Sequence, residues 1–232
     1  MDKLQLREAE IFRALKTLVK FEFVLIGGYA TNAYTLPRFS VDCDIVIRRE
    51  NIAAIGNILI GLGYSKAGYS KTADESTDLS HHSEFVRFEK EVAPEMHASI
   101  DVLIDEVYDR QSMISFDADW IFRNSSRRRI SGKTVDKNVV VRVINPDALF
   151  VMKFVSARPT DIRDVFMMVD KVRNFGKVKK EISARIDFKQ QFKKIKEKIT
   201  DKQFRDNLQG VYGYIDENTF GKRMKQILGL CE

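Results

Sequence analysis

Apolar residues recur along this chain with two different periods, and the places where the period changes predict its architecture. Leu4, Leu6, Ile11, Leu15 and Leu18 fall at helical spacing and predict a leading amphipathic helix. Short strand-like runs follow at 23–26 and 43–47, and again at 84–88, 99–104 and 138–143. Between them, helices are expected over 29–34 and over 51–62, the second closed by Gly63. Residues 67–82, with Gly68, Ser70, Thr72, Ser76, Thr77 and Ser80, have loop composition. Asn145-Pro146 is a helix start, a cap followed by proline at the first helical position. Arg158-Pro159 ends that helix and opens another, and the pattern stays helical from there on. The fold class expected is α+β, strands and helices over 1–144 and then an all-helical part over 145–232.

Strand alternation gives the second strand run its chemistry. In Ser40-Val41-Asp42-Cys43-Asp44-Ile45-Val46-Ile47, Asp42 and Asp44 share one face, while Val41, Cys43, Ile45 and Ile47 share the other. The apolar set packs inward and the acids face a cleft. Asp101, in Ser99-Ile100-Asp101-Val102-Leu103-Ile104, is flanked in the same way. Gathered carboxylates repel, and burying one alone is costly. A hard divalent cation resolves the conflict, Mg²⁺ by default with Mn²⁺ as the other candidate, and substrate phosphates complete its ligands. Upstream, a strand runs into Gly27-Gly28 and a helix start, an arrangement that brings backbone N–H groups close to phosphate oxygens. Arg38 and Ser40, just before the acid pair, are placed to reach phosphate as well.

Gly27-Gly28, then Arg38, Ser40, Asp42 and Asp44, then Asp101, resemble the core motif of the polymerase-beta-like nucleotidyltransferase superfamily. A second segment, Asn145-Pro146-Asp147-Ala148-Leu149-Phe150-Val151-Met152-Lys153 followed by Arg158, Asp161 and Asp164, is similar to AbiEii-type nucleotidyltransferases, the enzymatic toxins of type IV toxin–antitoxin pairs. The basic residue ahead of the second acid is Arg163, where that family usually has lysine. The resemblance implies a nucleotidyltransferase-type mixed sheet flanked by helices, and transfer of a nucleoside monophosphate from an NTP, ATP among them, to an acceptor hydroxyl. It implies Asp42, Asp44 and Asp101 as catalytic and metal-binding residues. Gly27, Gly28, Arg38, Ser40, Lys153, Asp161 and Asp164 are the nucleotide-binding positions it implies. Partners implied are RNA such as tRNA and an antitoxin protein. A small-molecule or protein acceptor, or a catalytically silent nucleotide-binding module, are the alternatives.

Composition changes this picture in one respect, the acceptor. The chain has 232 residues, 44% hydrophobic and 31% charged, as in a globular protein. No apolar run is long enough to span a bilayer and the first twenty residues lack a signal core, so no membrane partner and a cytoplasmic location are expected. Two cysteines, Cys43 and Cys231, make neither a disulfide framework nor a zinc site, and Cys43 reads as a small core residue. Residues 171–232 hold 16 Lys+Arg against 8 Asp+Glu, a surplus that would guide a polyanion. The bland reading of the same residues is a solvated lysine face, with Phe188, Phe192 and Ile195 turned inward, and Arg127-Arg128-Arg129 as plain surface. Adjacent His81-His82 cannot share a strand face and read as exposed; Asp105, Asp109, Asp117 and Asp119 read as solvated. Tyr29 and Tyr34 read as helix packing rather than base stacking.

Overall fold

Two units make up the chain in the computed structural model, which describes residues 2–72 and 83–231. The first consists of 1–33, 39–108 and 115–144, the second of 34–38, 109–114 and 145–232. His81 and His82 lie outside the described residues, as does most of the expected loop over 67–82.

The first unit begins with α1 (Lys3–Leu18), whose apolar stripe Ile11, Phe12, Leu15 and Leu18 is buried. After it come β1 (Val24–Leu25), α2 (Gly27–Thr31), β2 (Asp42–Ile47), α3 (Ile52–Gly61), β3 (Ser65–Thr72), β4 (Ser83–Ala93) and β5 (Met96–Ile104). A short ribbon of β6 (Glu106–Asp109) and β7 (Ile114–Asp117) leads to α4 (Ala118–Arg123), β8 (Ser125–Ser131) and β9 (Asn138–Ile144). Among the described residues, seven strands form one mixed sheet in the order β3-β4-β5-β2-β1-β9-β8. Its centre is the parallel pair β2 and β5, with Asp44 beside Asp101 and Asp42 beside Ser99. One face of this centre is apolar: Cys43, Ile45, Ile47, Ile100, Val102, Ile104, Val86 and Phe88 are buried, with Phe88 against α3 at Gly56. Buried Glu8 on α1 accepts the N–H groups of Lys133, Thr134 and Val135 and the Thr134 hydroxyl, which pins the β8–β9 turn.

The first helix after the glycines runs over Gly27–Thr31 rather than 29–34, because Gly27 itself opens it. Residues 67–72, the described part of the expected loop, belong to β3 and pair with β4. Among the described residues β3 stands at one edge of the sheet, where a strand read from apolar alternation is hardest to recognise. Arg127-Arg128-Arg129 lies in β8, at the opposite edge.

The second unit contains α5 (Pro146–Ser156), α6 (Pro159–Met168), α7 (Phe175–Ser183), α8 (Phe188–Ile199), α9 (Phe204–Tyr212) and α10 (Glu217–Leu228). A file of rings holds α5 to α8: Phe150, Phe154, Phe188 and Phe192 stack in turn at 6.0, 5.2 and 6.0 Å between centroids. On α8, Phe188, Phe192, Ile195 and Ile199 are buried, and Lys189, Lys193, Lys194, Lys196 and Lys198 are exposed. Among the described residues no helix is long and apolar enough to cross a membrane.

Candidate active site: a carboxylate face crossed by an arginine

Opposite the apolar face, the centre of the sheet is polar, and the strand register arranges that polarity in two rows. One row is Asp44, Asp101 and Arg87; the next is Asp42, Ser99 and Glu89, read across β2, β5 and β4. Alternation places the odd positions of β5 and β4 and the even positions of β2 on this one face. These two rows therefore hold four carboxylates and one guanidinium. Arg87 donates from Nε to Asp101 Oδ1 at 2.8 Å and from Nη2 to Asp101 Oδ2 at 2.7 Å. The same Nη2 lies 3.5 Å from Asp42 Oδ2, so a single cation bridges two of the three aspartates. Burial raises the Asp42 pKa, and Asp101 and Glu89 add to the rise while Arg87 and then Arg7 oppose it. Cys43, behind the acids in the core, has its thiol pushed well up by burial and then by Asp44, Asp101 and Asp42. It stays a neutral packing residue.

Gly27 is shaped by Asp44. Its φ is +64°, and a Cβ there would stand 2.0 Å from Asp44 Oδ2. Only glycine adopts this backbone cheaply while leaving room for the carboxylate. The Ile26 N–H also donates to the Asp44 carbonyl at 3.0 Å, holding the turn against β2. Gly28 is buried in α2, Tyr29 is buried edge-on to Phe12, and Ser40 is half-buried two residues before Asp42.

Four other sequence-derived positions gather separately, inside the helical unit. Lys153 Nζ lies 2.7 Å from Asp161 Oδ1 and 2.8 Å from Asp164 Oδ2. Arg38 forks onto Asp164, from Nε to Oδ1 at 2.7 Å and from Nη2 to Oδ2 at 2.6 Å, and the Tyr212 hydroxyl donates to Oδ1. Burial works to raise the Asp164 pKa, but Lys153 and Arg38 outweigh it and bring the group to about 2. Asp161 Oδ2 is buried and has no partner among the described residues. Asp109, expected as solvated, is buried here too, accepting from Ser112, Ser156 and Arg158.

No protein-family model and no curated protein matches the chain. Solved structures do. A candidate nucleotidyltransferase from H. pylori aligns over 99% of this chain and 95% of its own, at 13% identity and a TM-score of 0.52. JHP933 from Helicobacter pylori aligns over 99% and 92%, at 14% identity and a TM-score of 0.50. The fold is nucleotidyltransferase-like.

On this nucleotidyltransferase-like fold the fit of a metal can be tested from the donors. Asp42, Asp44 and Asp101 offer only hard carboxylate oxygens from adjacent strand positions, the chemistry that Mg²⁺ or Mn²⁺ selects. The donor set fits. Among the described residues, however, no three His, Cys, Asp or Glu side chains are closed around a common point. Both carboxylate oxygens of Asp101 are engaged by the Arg87 fork from β4. Sequence reasoning missed both Arg87 and Glu89. The signal available was the strand over 84–88, whose alternate positions include Arg87, but pairing it with Asp101 needs a register that no local pattern supplies.

Proposed function

We propose that this chain is a divalent-cation-dependent nucleotidyltransferase that moves a nucleoside monophosphate from an NTP, ATP among them, to a hydroxyl of RNA, tRNA first, as AbiEii-type toxins of toxin–antitoxin pairs do. One observation carries the proposal: Asp44 and Asp101 are register neighbours on parallel strands, with Asp42 two residues along the same face. Asp42 and Asp44 would hold Mg²⁺ or Mn²⁺, with Asp101 as third ligand. When bound, the cation supplies the charge that stabilises a phosphoryl centre and its leaving group. Asp101 orients the acceptor hydroxyl and takes its proton as the acceptor oxygen bonds to the α-phosphorus. The bond to the bridging oxygen breaks and pyrophosphate leaves with the electron pair. Gly27 and Gly28 offer backbone N–H groups to phosphate oxygens, and Ser40 offers its hydroxyl. Arg38, Lys153, Asp161 and Asp164 act first as the ionic core of the helical unit, since both cations are engaged by its acids.

A second reading is favoured by Arg87. A guanidinium that already neutralises Asp101 and Asp42 is what a catalytically silent nucleotide-binding module would keep in place of a metal.

The test is label transfer. Purified protein with Mg²⁺ or Mn²⁺, each α-labelled NTP and total cellular RNA is expected to label RNA, and Asp42→Asn or Asp44→Asn to abolish labelling with unchanged circular dichroism. Transfer at the wild-type rate by Asp44→Asn would refute the assignment. The toxin role predicts growth arrest on expression, relieved by Asp42→Ala; harmless expression removes that part and leaves the chemistry.

A further inference from the structure

The strand pair β8–β9 exposes a face on which like charges stand directly opposite one another. Arg127 faces Arg142 in register, and Arg129, two positions along β8, faces Val140. Alternation puts Arg127, Arg129 and Ser131 on one face with Arg142, Val140 and Asn138. The other face holds Ile130, Val139, Val141 and Val143, all buried. The arginine face is therefore the outer one, where Arg127 and Arg129 are exposed and Val140 is 39% exposed. Arg128 is exposed as well, but on the opposite side of β8 with Val141, and Arg123 is exposed at the end of α4. Arg142 donates to the Phe122 carbonyl and the Ser125 hydroxyl, and among the described residues no carboxylate pairs with any of these five arginines.

Like charges directly across an antiparallel pair destabilise it. A strand edge that has such a pair, with no acid on the same face of β8–β9 among the described residues, suits an anionic partner that spans several guanidinium groups. Repeating phosphates meet that demand, because a guanidinium fork matches phosphate geometry. We propose that the outer face of β8–β9 is an RNA-binding surface, with Arg127, Arg129 and Arg142 contacting phosphates of the backbone. The choice of RNA among polyanions rests on the proposed function; the anion-binding face does not.

The experiment is titration of fluorescently labelled total tRNA against wild-type protein and the Arg127→Thr/Arg129→Thr double variant at several salt concentrations. Threonine suits an exposed strand position and removes the repulsion, so the variant's Tm should hold or rise. Affinity at low salt is expected to fall at least tenfold, and the slope of log K against log salt to flatten by about 1.5, for two lost phosphate contacts. The single variant Arg129→Thr should show about half that flattening and gives the same reading if the double variant folds poorly. Unchanged affinity and slope would overturn the proposal. So would loss of binding in Lys193→Gln/Lys196→Gln on α8 with none at β8, or arginine-dependent binding of polyglutamate or anionic phospholipid vesicles in place of tRNA. Arginine-dependent tRNA binding in a chain that transfers no nucleotide would sink the enzymatic reading and leave this surface standing.

Discussion

Gly27 is bound by two constraints at once, a left-handed backbone and the Asp44 carboxylate where a side chain would begin. Gly27→Ala is expected to cost about 1–2 kcal/mol in backbone strain alone and to displace Asp44. Nucleotide transfer should be lost and the urea midpoint lowered. A fully active Gly27→Ala would show that this contact is dispensable. Arg87 gives the complementary prediction. Arg87→Gln leaves Asp42, Asp101 and Glu89 without their shared cation, and the metal-free protein should lose about 1 kcal/mol, a modest figure because the arginine is partly solvated. Mn²⁺ should then raise the Tm of the variant more than that of wild type. At this scale, alternation alone made the Asp42–Asp44 pair legible, since both belong to one strand. Arg87 and Glu89 were not legible, because their place beside Asp101 and Ser99 is set by pairing between strands.

The helical unit is organised around Asp164, which ties α5, α6, α9 and the segment holding Arg38. Held at about 2, its pKa lies below the value near 3.9 of a free aspartate, so its stabilisation is complete above about pH 4 and is lost as pH falls toward 2. About 2 kcal/mol should disappear over that window, visible as an acid-dependent loss in urea unfolding. Asp164→Asn should remove that dependence and cost about 3–5 kcal/mol, because Lys153 and Arg38 lose a buried partner. On α8, Phe192→Ala should cost about 3–5 kcal/mol by opening the ring file, while Lys193→Gln should stay within about 0.5 kcal/mol. Helical periodicity with Asn145-Pro146 and Arg158-Pro159 as punctuation made α5 and α6 readable. β3 and β8 were harder, since edge strands rich in glycine, hydroxyls or arginine lack the apolar alternation that marks a strand.

At the scale of the whole chain, a likeness spanning 99% of its length survives at 13–14% identity. A fold is written in the period of its apolar residues, which is why it was accessible from pattern while the acceptor was not. Nothing local distinguishes a lysine face that binds RNA from one that only meets water. The central claim is that Asp42, Asp44 and Asp101 form a divalent-cation site in spite of Arg87. Its most direct test is Mn²⁺ binding in the presence of a non-hydrolysable NTP analogue, followed by calorimetry on wild type, Asp44→Asn and Arg87→Gln. The account predicts saturable binding by wild type, loss of that binding in Asp44→Asn, and tighter binding in Arg87→Gln, where the competing guanidinium is gone. Wild-type protein that binds no Mn²⁺, or Asp44→Asn that binds it as tightly as wild type, would contradict it.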